Sequence, residues 1–256
     1  MIPTTAPLTY GAYLRLPYLL DQQVPLTGSA HDEHLFIAVH QVHELWFKLL
    51  LVECADARDR MLAGETAVPG TRLRRCELIV GTLCDAVRLL DTMEPRDFLA
   101  FRDGLGTASG AQSAQYHEIG ILLGGPKDRA RIGRMGWLTP DERSRVRRRL
   151  AEPSLWDGFL ALLAAAGFAH GTRTERFAAY AEIARDPAHK ALGELMESLL
   201  DHDRAWSRWR SRHVLVVERQ LGGAPGTAGS AGATYLRARA DERFFPELWG
   251  FRGTPR

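Results

Sequence analysis

The stretch from His31 to Lys48 (HDEHLFIAVHQVHELWFK) constrains this chain most. Leu35/Phe36, Val39, Val42, Leu45/Trp46 and Leu49/Leu50 recur at the period of a helix, so residues 30–63 are expected to form one long buried helix. Phe36, His40, Glu44 and Phe47 make a neighbouring stripe of the same helix. A polar group buried without a partner costs about 1–3 kcal/mol. His31, His34, His40 and His43 therefore need an account of what they face.

The same period recurs along the chain. After an arm of residues 1–8, Tyr10, Tyr13 and Leu14 stand at i, i+3 and i+4, on one face of a short helix. Pro25 and Gly28 interrupt the chain before the long helix. Leu73, Cys76, Val80, Leu83, Cys84, Val87 and Leu90 mark a helix over 71–90. Pro95 opens a shorter one holding Phe98, Phe101 and Arg102, which Gly104 and Gly106 end. Ser109 with Gln112, and Thr139 with Glu142, have capping-box spacing. The helix after Ser109 is expected to stop at Gly124-Gly125-Pro126.

Residues 127–185, richer in arginine and alanine, are expected to form a small helical excursion. Trp206, Trp209, His213 and Val216 share a stripe of a last long helix over 188–221. A small-residue loop, 222–232, has little side chain to keep it from folding close to a ligand. Tyr235 to Arg239 resumes helix, and Phe244 to Trp249 is an apolar tail expected to dock on the core. No stretch sustains strand alternation. The expected architecture is a single all-α domain over 1–256, a helical bundle without internal repeats.

Composition serves mainly to exclude. A net charge of +2 over 256 residues gives no electrostatic case for nucleic acid or a membrane surface as partner. Cys54, Cys76 and Cys84 form no CxxC and fall on apolar helical faces, which argues against a disulfide framework and against covalent haem attachment. The first residues lack the charged and apolar regions of a secretion signal, and no uncharged run reaches transmembrane length. The reduced cytoplasm is the expected compartment.

The histidines admit three readings. His31/His34 and His40/His43 are HxxH pairs, a spacing helical metal sites use, but no Glu-x-x-His accompanies them. Alternatively they are hydrogen-bonded scaffold or solvated residues, which is expected for His31, His34 and His43. The third reading pairs His40 with His213, the single histidine on an aromatic and aliphatic stripe. One would bind haem iron while the other lines the opposite face of the cofactor. On local pattern alone, Arg102 reads equally as a surface arginine, Thr227 as a turn residue and the tyrosines as packing. Arg208, Arg210 and Arg212 could approach the propionates of a haem, but they spread around their helix, so not all can and most are expected to be solvated.

Six blocks, taken together, resemble the tryptophan 2,3-dioxygenase family. They are Tyr10-x-x-Tyr13-Leu14; His31-Asp32-Glu33-x-Leu35-Phe36-Ile37-x-x-His40-Gln41-x-x-Glu44-Leu45-Trp46-x-Lys48; Phe98-x-x-Phe101-Arg102; Ser109-Gly110-x-Gln112-Ser113-x-Gln115-Tyr116; Trp209-Arg210-x-x-His213-Val214-x-x-Val217; and Gly226-Thr227-x-Gly229-Ser230-x-Gly232. They appear in the family's order and cover nearly the whole chain. The resemblance implies an all-α homotetramer with one non-covalent haem b per subunit and O2 as co-substrate. It implies His213 as proximal iron ligand with Trp209 beside the haem, and His40 as the distal histidine near the indole N–H. Phe36 would pack on the indole, with Phe98, Ser109, Gly110 and Tyr116 also in the substrate pocket. Arg102 would hold the substrate carboxylate, a task suited to a guanidinium fork. Thr227 would meet the ammonium. Tyr10, Tyr13 and Leu14 would come from a neighbouring subunit's N-terminal arm.

The sequence also departs from the family pattern. Ala111 stands where phenylalanine is usual, His117 where arginine follows the tyrosine, Phe98 where bacterial members often have tyrosine, and Ala228 where the loop usually has glycine. The expected activity is oxidation of the indole C2–C3 bond of L-tryptophan or a substituted tryptophan to an N-formylkynurenine-type product. The alternatives are a monooxygenase forming a 2-oxindole from β-methyltryptophan, and a non-catalytic haem-binding or sensor protein.

Overall fold

The computed structural model describes residues 7–125, 135–226 and 232–252, and among them every regular element is helical. The α-helices are α1 (Tyr10–Leu14), α2 (Leu16–Leu19), α3 (Asp32–Leu62), α4 (Ala67–Arg88), α5 (Pro95–Arg102), α6 (Ala114–Leu123), α7 (Pro140–Ala151), α8 (Leu155–Ala165), α9 (Arg173–Arg185), α10 (Lys190–Leu221), α11 (Ala233–Ala240) and α12 (Pro246–Arg252).

Helix α3 begins where the sequence sets a stop. The carboxylate of Glu33 accepts from the backbone N–H of Leu26 (2.7 Å) and Thr27 (3.0 Å) and from the Thr27 hydroxyl (2.6 Å). That ties the preceding turn to the first turn of the helix, where Asp32 and Glu33 also suit the helix dipole. Its second half supplies Phe47, Leu50, Leu51, Cys54, Ala57 and Met61 to the main core. Helix α4 adds Leu73, Cys76, Ile79, Val80 and Leu83, and α10 adds Leu192 through Trp209. By length and composition α3 is apolar enough to cross a membrane; here α4, α6 and α8 pack against one side of it, while Val42, Leu45 and Val52 stay exposed.

The segment expected as an excursion divides in two. Helix α8 gives Leu155, Phe159, Leu162 and Leu163, and α9 gives Tyr180 and Ile183, to the main core. Gly158 lets α8 approach α3 closely: a Cβ there would lie 3.2 Å from the Arg58 carbonyl oxygen and 3.3 Å from Met61. Only α7 stands apart, packing Val146 with Ala114, Ile121, Met135 and Leu138 in a separate cluster beside α6. Residues 155–185 are thus integral to the bundle. Their arginines made them look peripheral, but those lie outside the apolar face.

The capping boxes at Ser109–Gln112 and Thr139–Glu142 both form. Gly124 ends α6 in the left-handed region (φ 94°). The C-terminal tail docks by a polar clasp inside an apolar seat. Asp203, fully buried on α10, accepts from the backbone N–H of Phe244 (3.1 Å) and Phe245 (3.2 Å) and from the Trp249 indole (3.0 Å). Burial raises its carboxyl above the usual range, against those hydrogen bonds and the nearby Arg210. Arg176 grips Glu247 with two contacts (2.7 and 2.6 Å), and Tyr180 donates to the same carboxylate (2.7 Å).

Replacing Asp203 with Ala leaves buried donors unsatisfied at about 1–3 kcal/mol each. We expect Asp203→Ala to lower the unfolding free energy by roughly 2–4 kcal/mol, and to open the tail to proteolysis. An unchanged urea midpoint contradicts the clasp.

Candidate active site

The N-terminal half of α3 and the C-terminal half of α10 leave the core and face a shared cavity of about 600 Å3. That lies within the roughly 300–1,000 Å3 of small-molecule sites. Phe36, Val39, His40, His43 and Phe47 line it from α3, and Trp209, His213, Val217 and Leu221 from α10. Each set follows helical spacing, and Gln41, Glu44, Leu45 and Lys48 on the adjoining face of α3 also border the space. Phe98 closes one side, and the turn at Ser109, Gly110 and Ala111 another, with Tyr116 at the start of α6.

Each of these parts has a local cause. Ser109 accepts from the Ala111 N–H (3.3 Å) and Ser113 from the Tyr116 N–H (3.1 Å), so two successive caps shape the turn. His117 is buried, with Nε2 3.0 Å from the Ala111 carbonyl oxygen, tying α6 to that turn. The position where the family pattern has arginine is here a brace for the wall. Phe36 meets Phe98 (5.9 Å) and Phe101 (5.4 Å, edge-on) in an aromatic wall.

His40 and His213 are neutral bases held in apolar surroundings. His40 Nδ1 lies 2.7 Å from the Phe36 carbonyl oxygen, so Nδ1 carries the proton and Nε2 keeps its lone pair. Its ring sits 4.1 Å from the Phe36 ring. Burial lowers its basicity, partly offset by that carbonyl and by Glu44. Burial pushes His213 down to about 4, with His40 and His43 near enough to add to the effect. Among the described residues its ring has no hydrogen-bond partner. A neutral imidazole with a free lone pair, aimed into an apolar cavity, is the donor that haem iron takes.

Other expected residues lie elsewhere. Arg102 is not in the cavity wall: its Nη2 donates to the Pro225 carbonyl (2.7 Å), at the base of the glycine-rich loop. Its Nε has no partner among the described residues. Thr227 falls outside the described residues, though Gly226 and Gly232 on either side line the cavity. Gly232 adopts φ 54°, and a Cβ there would meet the Ala224 carbonyl oxygen at 2.6 Å, so only glycine closes this loop. Tyr10 and Tyr13 are 76% and 69% exposed and, with Leu14, line no part of their own chain's cavity. Leu19 and Gln22, just after them, do. His31 and His34 are exposed. Among the described residues no cluster of three His, Cys, Asp or Glu side chains can hold a metal ion.

Sequence reasoning missed Arg239, left open which of Arg208, Arg210 and Arg212 faces the site, and underrated one histidine. Arg210 and Arg239 are 4% and 7% exposed and line the cavity. Arg210 donates to the Glu242 carbonyl (2.6 Å) and stacks over Phe244 (4.5 Å), but its buried Nε has no partner among the described residues. Arg239 lies over the Tyr116 ring (5.3 Å). His43 is buried and lines the same space. The i, i+4 spacing of Tyr235 and Arg239 was the available signal for the second arginine. Arg208 and Arg212, by contrast, pair with Glu77 and Asp91.

These features fit a haem. An apolar slot bears one imidazole with no partner among the described residues, and two buried guanidinium groups stand at its wall, Arg210 on the Glu242 carbonyl and Arg239 beside the Glu242 carboxylate.

Comparison with known proteins gives a concordant result. The family described as tryptophan 2,3-dioxygenase matches residues 3–140 and 176–254, skipping most of α7 and all of α8. A tryptophan 2,3-dioxygenase of Nocardioides sp. is 46% identical, covering 96% of this chain and 94% of the relative. Those of Anaeromyxobacter sp. (40% identical, 97% of each chain) and Herpetosiphon aurantiacus (39%, 96% of this chain and 97% of the relative) are similar over the same extent. With the family matched over most of this chain, and with relatives 39–46% identical over nearly its whole length, the chain belongs to the tryptophan 2,3-dioxygenase family.

Proposed function

We propose that this chain is a haem-dependent dioxygenase that opens the indole C2–C3 bond of L-tryptophan with O2, giving N-formylkynurenine. The observation that carries this reading is the confrontation of His213 with the Phe36–His40 pair across one apolar cavity. Bound through His213, with Trp209 beside it and Arg210 and Arg239 toward its carboxylates, haem supplies the activation of dioxygen.

The chain's own residues do the rest. Phe36, backed by Phe98 and Phe101, gives the indole an apolar face to lie on. His40 Nε2 accepts from the indole N–H, because Nδ1 is committed to the Phe36 carbonyl. Ser109, Gly110 and Tyr116 wall the substrate and keep water out. Arg102 takes the substrate carboxylate by turning its guanidinium from the Pro225 carbonyl, next to the cavity-lining Gly226, and Thr227 takes the ammonium. Both atoms of O2 enter the product, so no external reductant is consumed per turnover.

The oxygenase is a homotetramer in this reading, and Tyr10, Tyr13 and Leu14 complete a neighbour's cavity. Their exposure, and the position of Leu19 and Gln22 at the mouth, support it. Light scattering that returns a lone chain contradicts this part. The reduced cytoplasm is the compartment proposed, in keeping with three free thiols; cell fractionation reads it.

The product decides the reaction. Incubated with L-tryptophan and labelled O2, the ferrous haem-loaded protein is expected to give a product carrying two labelled oxygen atoms. One oxygen, or no product from a protein with a normal haem spectrum, overturns the proposal. Arg102→Leu is expected to lower kcat/KM for tryptophan about ten- to a hundredfold, the loss of a charge-assisted hydrogen-bond pair. Tryptamine, which has no carboxylate, should be little affected. Equal losses on both substrates remove Arg102 from the clamp.

A further inference from the structure

Histidines that ligate metals are ordinarily oriented by a hydrogen bond from their other ring nitrogen. Among the described residues His213 has none, so its orientation has another source. The ring laid against it is Trp209, one turn earlier on α10, with centroids 5.3 Å apart and planes within 26°. The Trp209 indole is itself held at its edge. Its Nε1 lies 3.2 Å from His43 Nε2, across 166 positions of sequence.

The direction of that bond is not a choice. An indole nitrogen only donates, so His43 Nε2 must accept. His43 Nδ1 lies 2.7 Å from the Val39 carbonyl oxygen and must donate, with the Leu83 backbone a second, weaker hydrogen-bonding neighbour of the ring. Both ring nitrogens are thereby spent, and His43 is fixed as one neutral tautomer. Three links run from the Val39 carbonyl on α3 through His43 and Trp209 to the face of His213.

We infer that His43 is a positioning residue, which fixes the Trp209 indole by accepting its N–H and so sets the plane in which His213 meets the haem iron. This rests on the proposed function for the iron, but not for the geometry. The rival account is packing alone, since Trp206 (5.6 Å), Tyr116 (5.7 Å) and Phe47 (6.3 Å) also surround Trp209.

The test compares the haem-loaded wild type with His43→Leu, which removes the acceptor at similar volume, and His43→Gln, whose carbonyl oxygen restores one. Resonance Raman spectroscopy of the ferrous protein reads the iron–imidazole stretch. In the full-length apoprotein, NMR reads exchange of the Trp209 indole N–H and the ring-proton shift of His213. The leucine variant is expected to retain haem and to shift and broaden the stretch. It should also lose at least tenfold in indole protection and move the His213 shift. The glutamine variant should return all three toward wild type. A stretch and a His213 shift unchanged in the leucine variant overturn the inference, whatever happens to the indole. Unchanged indole protection overturns it too. If the leucine variant is unfolded by circular dichroism, Trp209→Phe deletes the donor while keeping a ring to stack, and is expected to move the iron–imidazole stretch and the His213 shift in the same way; both unchanged there overturn the inference. Should the wild type bind no haem, the proposed function fails, and the apoprotein signals still decide whether His43 orients His213.

Discussion

The site exists because two long helices share a core along one half of their length and line a common cavity along the other. Phe47 to Met61 of α3, and Leu192 to Trp206 of α10, are locked together through α4 and α8. A close-packed core of this kind transmits position with little slack. Beyond it, Phe36, His40 and His43 on one helix face Trp209 and His213 on the other. The imidazoles sit where they do because the apolar halves leave them no alternative register.

That placement also sets their chemistry. Removed from bulk water, an imidazolium is costly, so burial holds His40, His43 and His213 neutral. Each has a separate use for its lone pair. His43 gives one to the Trp209 indole, His40 keeps Nε2 by committing Nδ1 to the Phe36 carbonyl, and the His213 ring is uncommitted among the described residues. A carbonyl one helical turn behind fixes the same tautomer in His40 and His43, and the Trp209 indole then separates the two by occupying Nε2 of His43 alone.

Much of this was legible in the sequence, because helical period and capping are local. The stripes through Phe36 and His40 and through Trp209 and His213, the caps at Ser109 and Thr139, and the glycine stop at Gly124 all follow from residues within a few positions of one another. What was not legible depends on contacts between distant segments. No local signal tells that His43 meets an indole on α10, or that Arg210 and Arg239 are buried at the cavity wall while Arg208 and Arg212 find surface carboxylates. Arginine-rich composition likewise hid the fact that α8 presses Gly158 against the α3 backbone. Arg102 had the family's position in the sequence, but its guanidinium rests on Pro225 outside the cavity wall.

The central claim is that one cavity holds a haem through His213, with His40 on the other side of the space. The most direct measurement is the absorption and paramagnetic resonance spectrum of reconstituted His213→Gly protein, with and without added imidazole. The account predicts loss of the protein-ligated haem spectrum and its recovery when imidazole fills the space left by the side chain. The exposed-site variant His34→Ala should be unaffected. A His213→Gly protein that keeps the wild-type spectrum without imidazole would contradict it.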